Sequence, residues 1–157
     1  MKITLLVVSK TDDKYLQEGI AVYLKRLTHY IPFDIDVIPA LKDQKNASPD
    51  DIKEREGALI LKKIEKSDAV ILLDEHGTQY TSVGFSDFIQ KQMNRGVRQL
   101  TFVIGGAFGF SPAVYKAATG KISLSTMTFN HQMVRLIFVE QLYRAFSILH
   151  HEPYHNE

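Results

Sequence analysis

Three stretches constrain this chain most: Ile3 to Val8, Ala69 to Leu73 and Leu100 to Ile104 are each apolar or nearly so without a break. A strand with one wet face alternates polar and apolar residues. An unbroken run rich in Val, Ile and Leu suits a strand covered on both faces, as in a parallel sheet. Between these runs the period becomes helical. Tyr15, Leu16, Ile20, Tyr23, Leu24 and Leu27 fall on one helical face, with Lys14, Glu18 and Lys25 outside. Phe85, Phe88, Ile89 and Met93 repeat the pattern after Thr81 or Ser82, and Gly96 ends that unit. Thr11 or Asp12 is expected to cap the first helix. Ser48-Pro49-Asp50-Asp51 marks the start of another, with Ser as cap, Pro in the first turn and acids at the positive end. Phe33, Ile35 and Val37 alternate with Asp34 and Asp36, which predicts an edge strand, and a brief strand is expected from Lys121 to Leu124. Strands alternating with helices predict one α/β domain over residues 1–157, with a mainly parallel sheet and helices on both faces.

Composition narrows the classes of function. A chain of 157 residues is long enough to bury a core, and there is no cysteine, so disulfides and thiolate metal sites are excluded. A reducing cytoplasm is compatible with that. The opening MKITLLVVSK carries too short an apolar run for a signal peptide, and no stretch approaches the roughly 18 apolar residues of a membrane span. The formal net charge of +1 means that a nucleic-acid partner would meet a local basic patch, not a basic protein. The lysine-bearing loop from Leu41 to Ser48 reads either as a solvated loop or as one that touches phosphate.

The strands at Ala69, Leu100 and Lys121 end in Asp74-Glu75-His76-Gly77, in Gly105-Gly106-Ala107-Phe108-Gly109 and in Ser125 to Phe129. Side by side and parallel, they would open three loops on one edge, where open α/β sheets bind ligands. Gly105 and Gly106 serve either a tight turn or close backbone approach to a ligand. Leu73, Leu124, Met127 and Phe129 would supply apolar walls suited to a small ligand with a flat ring. The glycines lack the spacing of a dinucleotide fingerprint or a phosphate-binding loop, and Ser111 is not in a nucleophile elbow. The six histidines show no metal-ligand spacing, so no metal is expected.

The last helix is apolar nearly all round, from Met133 through Val134, Leu136, Ile137, Phe138, Val139, Leu142, Tyr143 and Phe146 to Ile148. Such a helix must be buried all round, and a second subunit is the expected cover, which predicts a homodimer. Glu140 and Arg144 have the spacing of an intrahelical pair. Arg135 and Arg144 are costly to bury unpaired, so the alternative is that they face an anionic ligand. The tail His150 to His155 could stack on a base or touch phosphate, although polarity alone reads as fraying.

IGGAFGFS, LSTMTFNHQMVRLIFVEQLYRAFSI and the terminal Pro153-Tyr154-His155, with the opening MKITLLVVSK and Glu56-Gly57, resemble the ribosomal RNA large subunit methyltransferase H family along the whole chain. The resemblance implies a SPOUT-class α/β homodimer with a C-terminal trefoil knot. It implies transfer of a methyl group from S-adenosylmethionine to N3 of a pseudouridine in 23S rRNA on the assembled ribosome, in the cytoplasm. The family's cofactor-binding positions map onto Leu73, Gly105, Leu124, Ser125, Thr126, Met127, Thr128 and Phe129. Its candidate catalytic positions map onto Arg144, Tyr154 and His155, which would approach the partner subunit's cofactor. Asn130 stands where proline is common in the family. The rival readings are a SPOUT enzyme acting on transfer RNA and a non-catalytic dimer that binds nucleotide or ribosome.

Overall fold

The computed structural model describes residues 1–156. Five strands form one sheet: β1 (Lys2–Val8), β2 (Phe33–Ile38), β3 (Ala69–Gln79), β4 (Gln99–Ile104) and β5 (Gly120–Ser123). Their order is β2-β1-β4-β3-β5, and every pairing is parallel. Five helices alternate with them: α1 (Lys14–Leu27), α2 (Pro49–Ile64), α3 (Ser82–Asn94), α4 (Pro112–Ala117) and α5 (Met133–Leu149).

The unbroken apolar runs feed two cores. Ile3, Leu5, Val7, Ile71, Phe102 and Ile104 pack with Ile20 and Leu27 of α1, Phe85 and Ile89 of α3, and Phe138 and Phe146 of α5. Their alternate neighbours Leu6, Val8, Val70, Leu72 and Val103 pack with Ile60 and Ile64 of α2 and Val114 of α4. A strand contributing to both layers has few positions for a polar side chain, hence the nearly continuous run, broken only by hydrogen-bonded Thr4 and Thr101. Strand β2, which alternates, lies at the sheet edge as expected. The helix starts follow local capping chemistry: Ser48 Oγ accepts from Asp51 N at 3.1 Å and Thr81 Oγ1 from Gly84 N at 2.9 Å. Past the end of α3, Gly96 takes a φ of +77°, where a side chain would be strained.

Four local expectations are corrected. Neither Thr11 nor Asp12 caps α1; the cap position is Asp13, whose side chain makes no capping bond. Tyr15 is 60% exposed and does not belong to the buried face. Strand β5 starts and ends one residue earlier than Lys121 to Leu124. Strand β3 does not stop at Leu73. It pairs Leu73 with Ile122, then Thr78 with Ile122 again, so Asp74 to Gly77 bulge from the ladder. A Cβ on Gly77 would stand 2.6 Å from the Ile122 backbone nitrogen, so the bulge needs glycine there.

Thr11 and Asp12 are taken up by the start of α5 instead. Arg135 is 1% exposed. Its guanidinium donates to the carbonyls of Val8 and Ser9 at 2.7 and 2.9 Å and to Thr11 Oγ1 at 3.0 Å. Ser9 adopts a φ of +65°, a left-handed turn at the end of β1. Burial pulls the Arg135 pKa down, opposed by the charge of Asp12. One residue before α5, Gln132 accepts from Asp12 N at 2.7 Å and donates to Lys10 O and Asp12 Oδ2. Arg135 therefore faces no ligand; it fastens α5 to the carboxyl end of β1. Arg135→Met is expected to lower stability by about 3 kcal/mol, because buried carbonyl acceptors lose their donors. Urea denaturation of the two proteins measures it.

Candidate active site

The carboxyl ends of β3, β4 and β5 open on one edge of the sheet. There they surround a cleft of about 440 Å³, within the usual range for small-ligand sites. Leu73 and the Asp74–His76 bulge form one wall. Ile104 and the turn from Gly105 to Phe110 form the second. The loop from Leu124 to Phe129, with His131 and Val134 beyond it, forms the third. Leu73, Gly105, Leu124, Ser125, Met127, Thr128 and Phe129 all line the cleft, whereas Thr126 does not.

Each wall is held by local bonds. Ser123 Oγ donates to Ser125 O at 2.9 Å, and Ser125 Oγ accepts from Met127 N at 2.9 Å, which sets the loop after β5. Asn130 Oδ1 accepts from Gln132 N and Met133 N, which ties the end of this loop to the start of the last helix; Gln132, at the cap position, makes no side-chain capping bond. Gly109 has a φ of +80° and closes the turn onto Gly106. A Cβ on Gly105 would stand 3.0 Å from the Phe110 ring, a tight contact that a larger side chain would relieve only by moving that ring.

The mouth is part acidic and part apolar. Asp74 accepts the hydroxyl of Tyr115 and the backbone N–H of His76, and Glu75 accepts from Thr128 Oγ1 at 3.3 Å. Burial, then the bond to Asp74, then the charges of Asp74 and Glu75 push the Tyr115 hydroxyl up to about 12. Tyr115 thus stays a donor. Met127, at 75% exposure, stands with Phe108 and Phe129 as exposed apolar side chains at the rim. In the sequence Asp74 and Glu75 stand on the ligand-binding edge only as members of the loop after a buried strand, with no role of their own, and Tyr115 is not marked at all. A carboxylate just past a buried strand was the available signal; Tyr115 gave none, being one aromatic on a short helix.

Arg144, Tyr154 and His155 come together, but away from this cleft. Arg144 lies ten residues beyond Val134 on α5, about 15 Å along the axis. Its guanidinium donates to Glu140 Oε1 and lies 4.8 Å over the Tyr154 ring. The bond to Glu140 raises its pKa, so the cation is secure. Tyr154 donates to Glu140 Oε1 at 3.1 Å, meets Tyr23 Oη at 3.3 Å and packs edge-on against Tyr143. Burial and these bonds raise its pKa, so it remains a phenol. Arg144 and His155 Nδ1 are 3.2 Å apart. A guanidinium only donates, so Nδ1 is the acceptor. The tail is therefore packed against α1 and α5, not frayed. The pairing of Glu140 with Arg144 follows the expected helical spacing.

The cleft fits S-adenosylmethionine in kind. Glycine-rich backbone and apolar walls suit its adenine, and the carboxylates of Asp74 and Glu75 suit its cationic portion. Among the described residues no group of three or more His, Asp or Glu is placed to hold a metal ion. No described helix is long and apolar enough to cross a membrane.

Residues 1–155 match the family model described as predicted SPOUT methyltransferase. The chain is 57% identical over 157 residues to the ribosomal RNA large subunit methyltransferase H of Flavobacterium johnsoniae, covering 100% of both chains. It is 56% identical, again over 100% of both, to the protein of that name from Parabacteroides distasonis. A crystal structure from Bordetella pertussis Tohama I, described as a probable methyltransferase, superposes with a TM-score of 0.57. It shares 11% identity over 92% of this chain and 96% of that one, a likeness of fold alone. With a full-length family match and relatives this similar, the chain belongs to the SPOUT methyltransferase family, among the proteins called ribosomal RNA large subunit methyltransferase H.

Proposed function

We propose that this chain binds S-adenosylmethionine in the cleft at the ends of β3, β4 and β5 and methylates N3 of a pseudouridine in 23S rRNA. It acts on the assembled ribosome in the cytoplasm, as one domain per subunit of a homodimer and with the threaded C-terminal knot of its family. The observation that carries this reading is the convergence of Leu73, Gly105 and the Leu124–Phe129 loop on one cleft, in a chain whose full-length relatives bear an rRNA methyltransferase name.

When bound, S-adenosylmethionine supplies an electrophilic sulfonium methyl, so the protein's task is mainly alignment. The Gly105-Gly106 backbone and the Leu124–Phe129 loop hold the cofactor's flat and polar parts. Asp74 and Glu75 offset its positive charge. The exposed Met127, Phe108 and Phe129 give the incoming base apolar surface at the mouth. Arg144, fixed by Glu140, holds a phosphate or the developing ring anion. Tyr154 offers an aromatic surface to the base, and His155 takes the N3 proton once Arg144 releases Nδ1.

A single chain keeps this cluster about 15 Å along α5 from its own cleft. The half-buried Ile137 and Ile148 on the same helix are apolar surface for a second subunit to cover. A homodimer that brings one subunit's Arg144, Tyr154 and His155 to the partner's cleft completes the site. The near-neutral net charge fits recognition by the shape of a ribosomal surface with local phosphate contacts.

A mixed-subunit experiment tests the arrangement. Gly105→Val closes the cleft against Phe110, and Arg144→Ala removes the cation; each alone should be inactive. Random pairing of equal amounts makes half the dimers mixed, each with one intact site, so about a quarter of the activity should return. A mixture as inactive as its parts would contradict a shared site. Separately, His155→Ala should slow single-turnover methylation by about 10²-fold, and an unchanged rate would remove the proton-accepting role.

A further inference from the structure

Helix α2 buries Ile52, Glu56, Gly57, Ile60 and Ile64 against the sheet and the loop after β4. Four of these are ordinary core residues. Glu56 is not: its side chain is 7% exposed, and Oε1 has no hydrogen-bond partner among the described residues. A carboxyl in a core position costs free energy that an alanine or leucine would not. Its surroundings suggest what it does there. A Cβ placed on Gly106 would stand 2.6 and 2.7 Å from the two carboxyl oxygens of Glu56, so the carboxyl is wedged against the Gly106 α-carbon. One residue on, a Cβ on Gly57 would stand 2.5 Å from Ser111 Oγ. Both ends of the loop from Gly106 to Ser111 therefore rest on consecutive residues of α2. Gly106 lines the cleft and Glu56 does not.

We propose that Glu56 is a positioning residue of the cofactor cleft: its buried carboxyl, pressed against Gly106 from behind, fixes the turn from Gly105 to Gly109 in the shape that receives S-adenosylmethionine. The inference rests on the assignment of the cleft to that cofactor. It accounts for two features together. Gly106 is required because Glu56 occupies the space of its side chain. Glu56 is tolerated in the core because its bulk and shape set a loop that apolar packing alone leaves adjustable. Burial raises the Glu56 pKa and favours the uncharged acid. An isosteric amide should therefore replace it well.

Calorimetric titration of S-adenosylmethionine and S-adenosylhomocysteine, with thermal melting of each variant, tests this. Glu56→Ala should weaken binding of both by about tenfold. Glu56→Gln should restore it to within about twofold. Gly106→Ala should also weaken binding, and adding Glu56→Ala to it should recover part of the loss, because removing the carboxyl makes room for the methyl group. Binding by Glu56→Ala as tight as wild type would overturn the proposal. So would a Glu56→Gln variant as impaired as Glu56→Ala, or a double variant that merely sums the two losses. A wild-type protein that bound neither ligand would instead overturn the assignment of the cleft.

Discussion

The buried guanidinium of Arg135 fixes the geometry on which the site depends. Among the described residues it forms no ion pair with a carboxylate, and Asp12 acts on it only through its charge. It is held by two main-chain carbonyls and one hydroxyl, all from the segment that leaves β1. An isolated buried cation would be costly, and fixed dipoles aimed at its two terminal amino groups offset that cost, while Nε makes no hydrogen bond among the described residues. The consequence is positional. The first turn of α5 cannot slide along the sheet without leaving the Val8 and Ser9 carbonyls unsatisfied. Gln132 repeats the restraint through Asp12 and Lys10. Because α5 starts where β1 ends, the preceding loop from Leu124 to His131 must cross the carboxyl ends of β3 and β4. That crossing builds the third wall of the cleft.

The other two walls follow from different physics. The β3 wall exists because the strand bulges at Asp74 to Gly77 and then resumes pairing, which throws two carboxylates toward the cleft without ending the ladder. The β4 wall exists because a run of small residues lets the chain turn back on itself, with Glu56 and Ser111 filling the places where side chains at Gly106 and Gly57 would have been. Arg144, Glu140 and Tyr154 form a separate rigid unit at the far end of α5. One long helix thus carries one arginine clamped to the end of β1 at its start and another paired with Glu140 near its end. The charge on Arg144 is secured by Glu140, while that on Arg135 is merely tolerated.

Much of this was legible in the residues. Continuous apolar strands, capped helix starts and glycine-ended loops led to a parallel α/β sheet and to the edge on which the cleft lies. Leu73, Gly105 and most of the Leu124–Phe129 loop were placed correctly on that edge because strand ends are where side chains and backbone become accessible together. Contacts made across long sequence separations were not legible. Thr11 and Asp12 have good capping chemistry, and nothing local shows that α5, some 120 residues later, takes them instead. Arg135 and Arg144 look alike on the helix; only the packing separates a clamp on β1 from a partner of Glu140. Glu56 reads as one more charged helix residue until Gly106 is seen against it. The tail reads as frayed because its partners, Tyr23 and Glu140, are apolar-face or helix-surface residues whose spare hydrogen-bonding groups a sequence does not announce.

We propose that the cleft serves methyl transfer to ribosomal RNA. The direct measurement supplies the protein with methyl-labelled S-adenosylmethionine and, in parallel, intact ribosomes, separated subunits, free 23S rRNA and transfer RNA. Nucleoside mass spectrometry then locates the label. Label is expected on N3 of a pseudouridine in 23S rRNA, most rapidly with intact ribosomes. Label in transfer RNA, or none in any RNA, would contradict it.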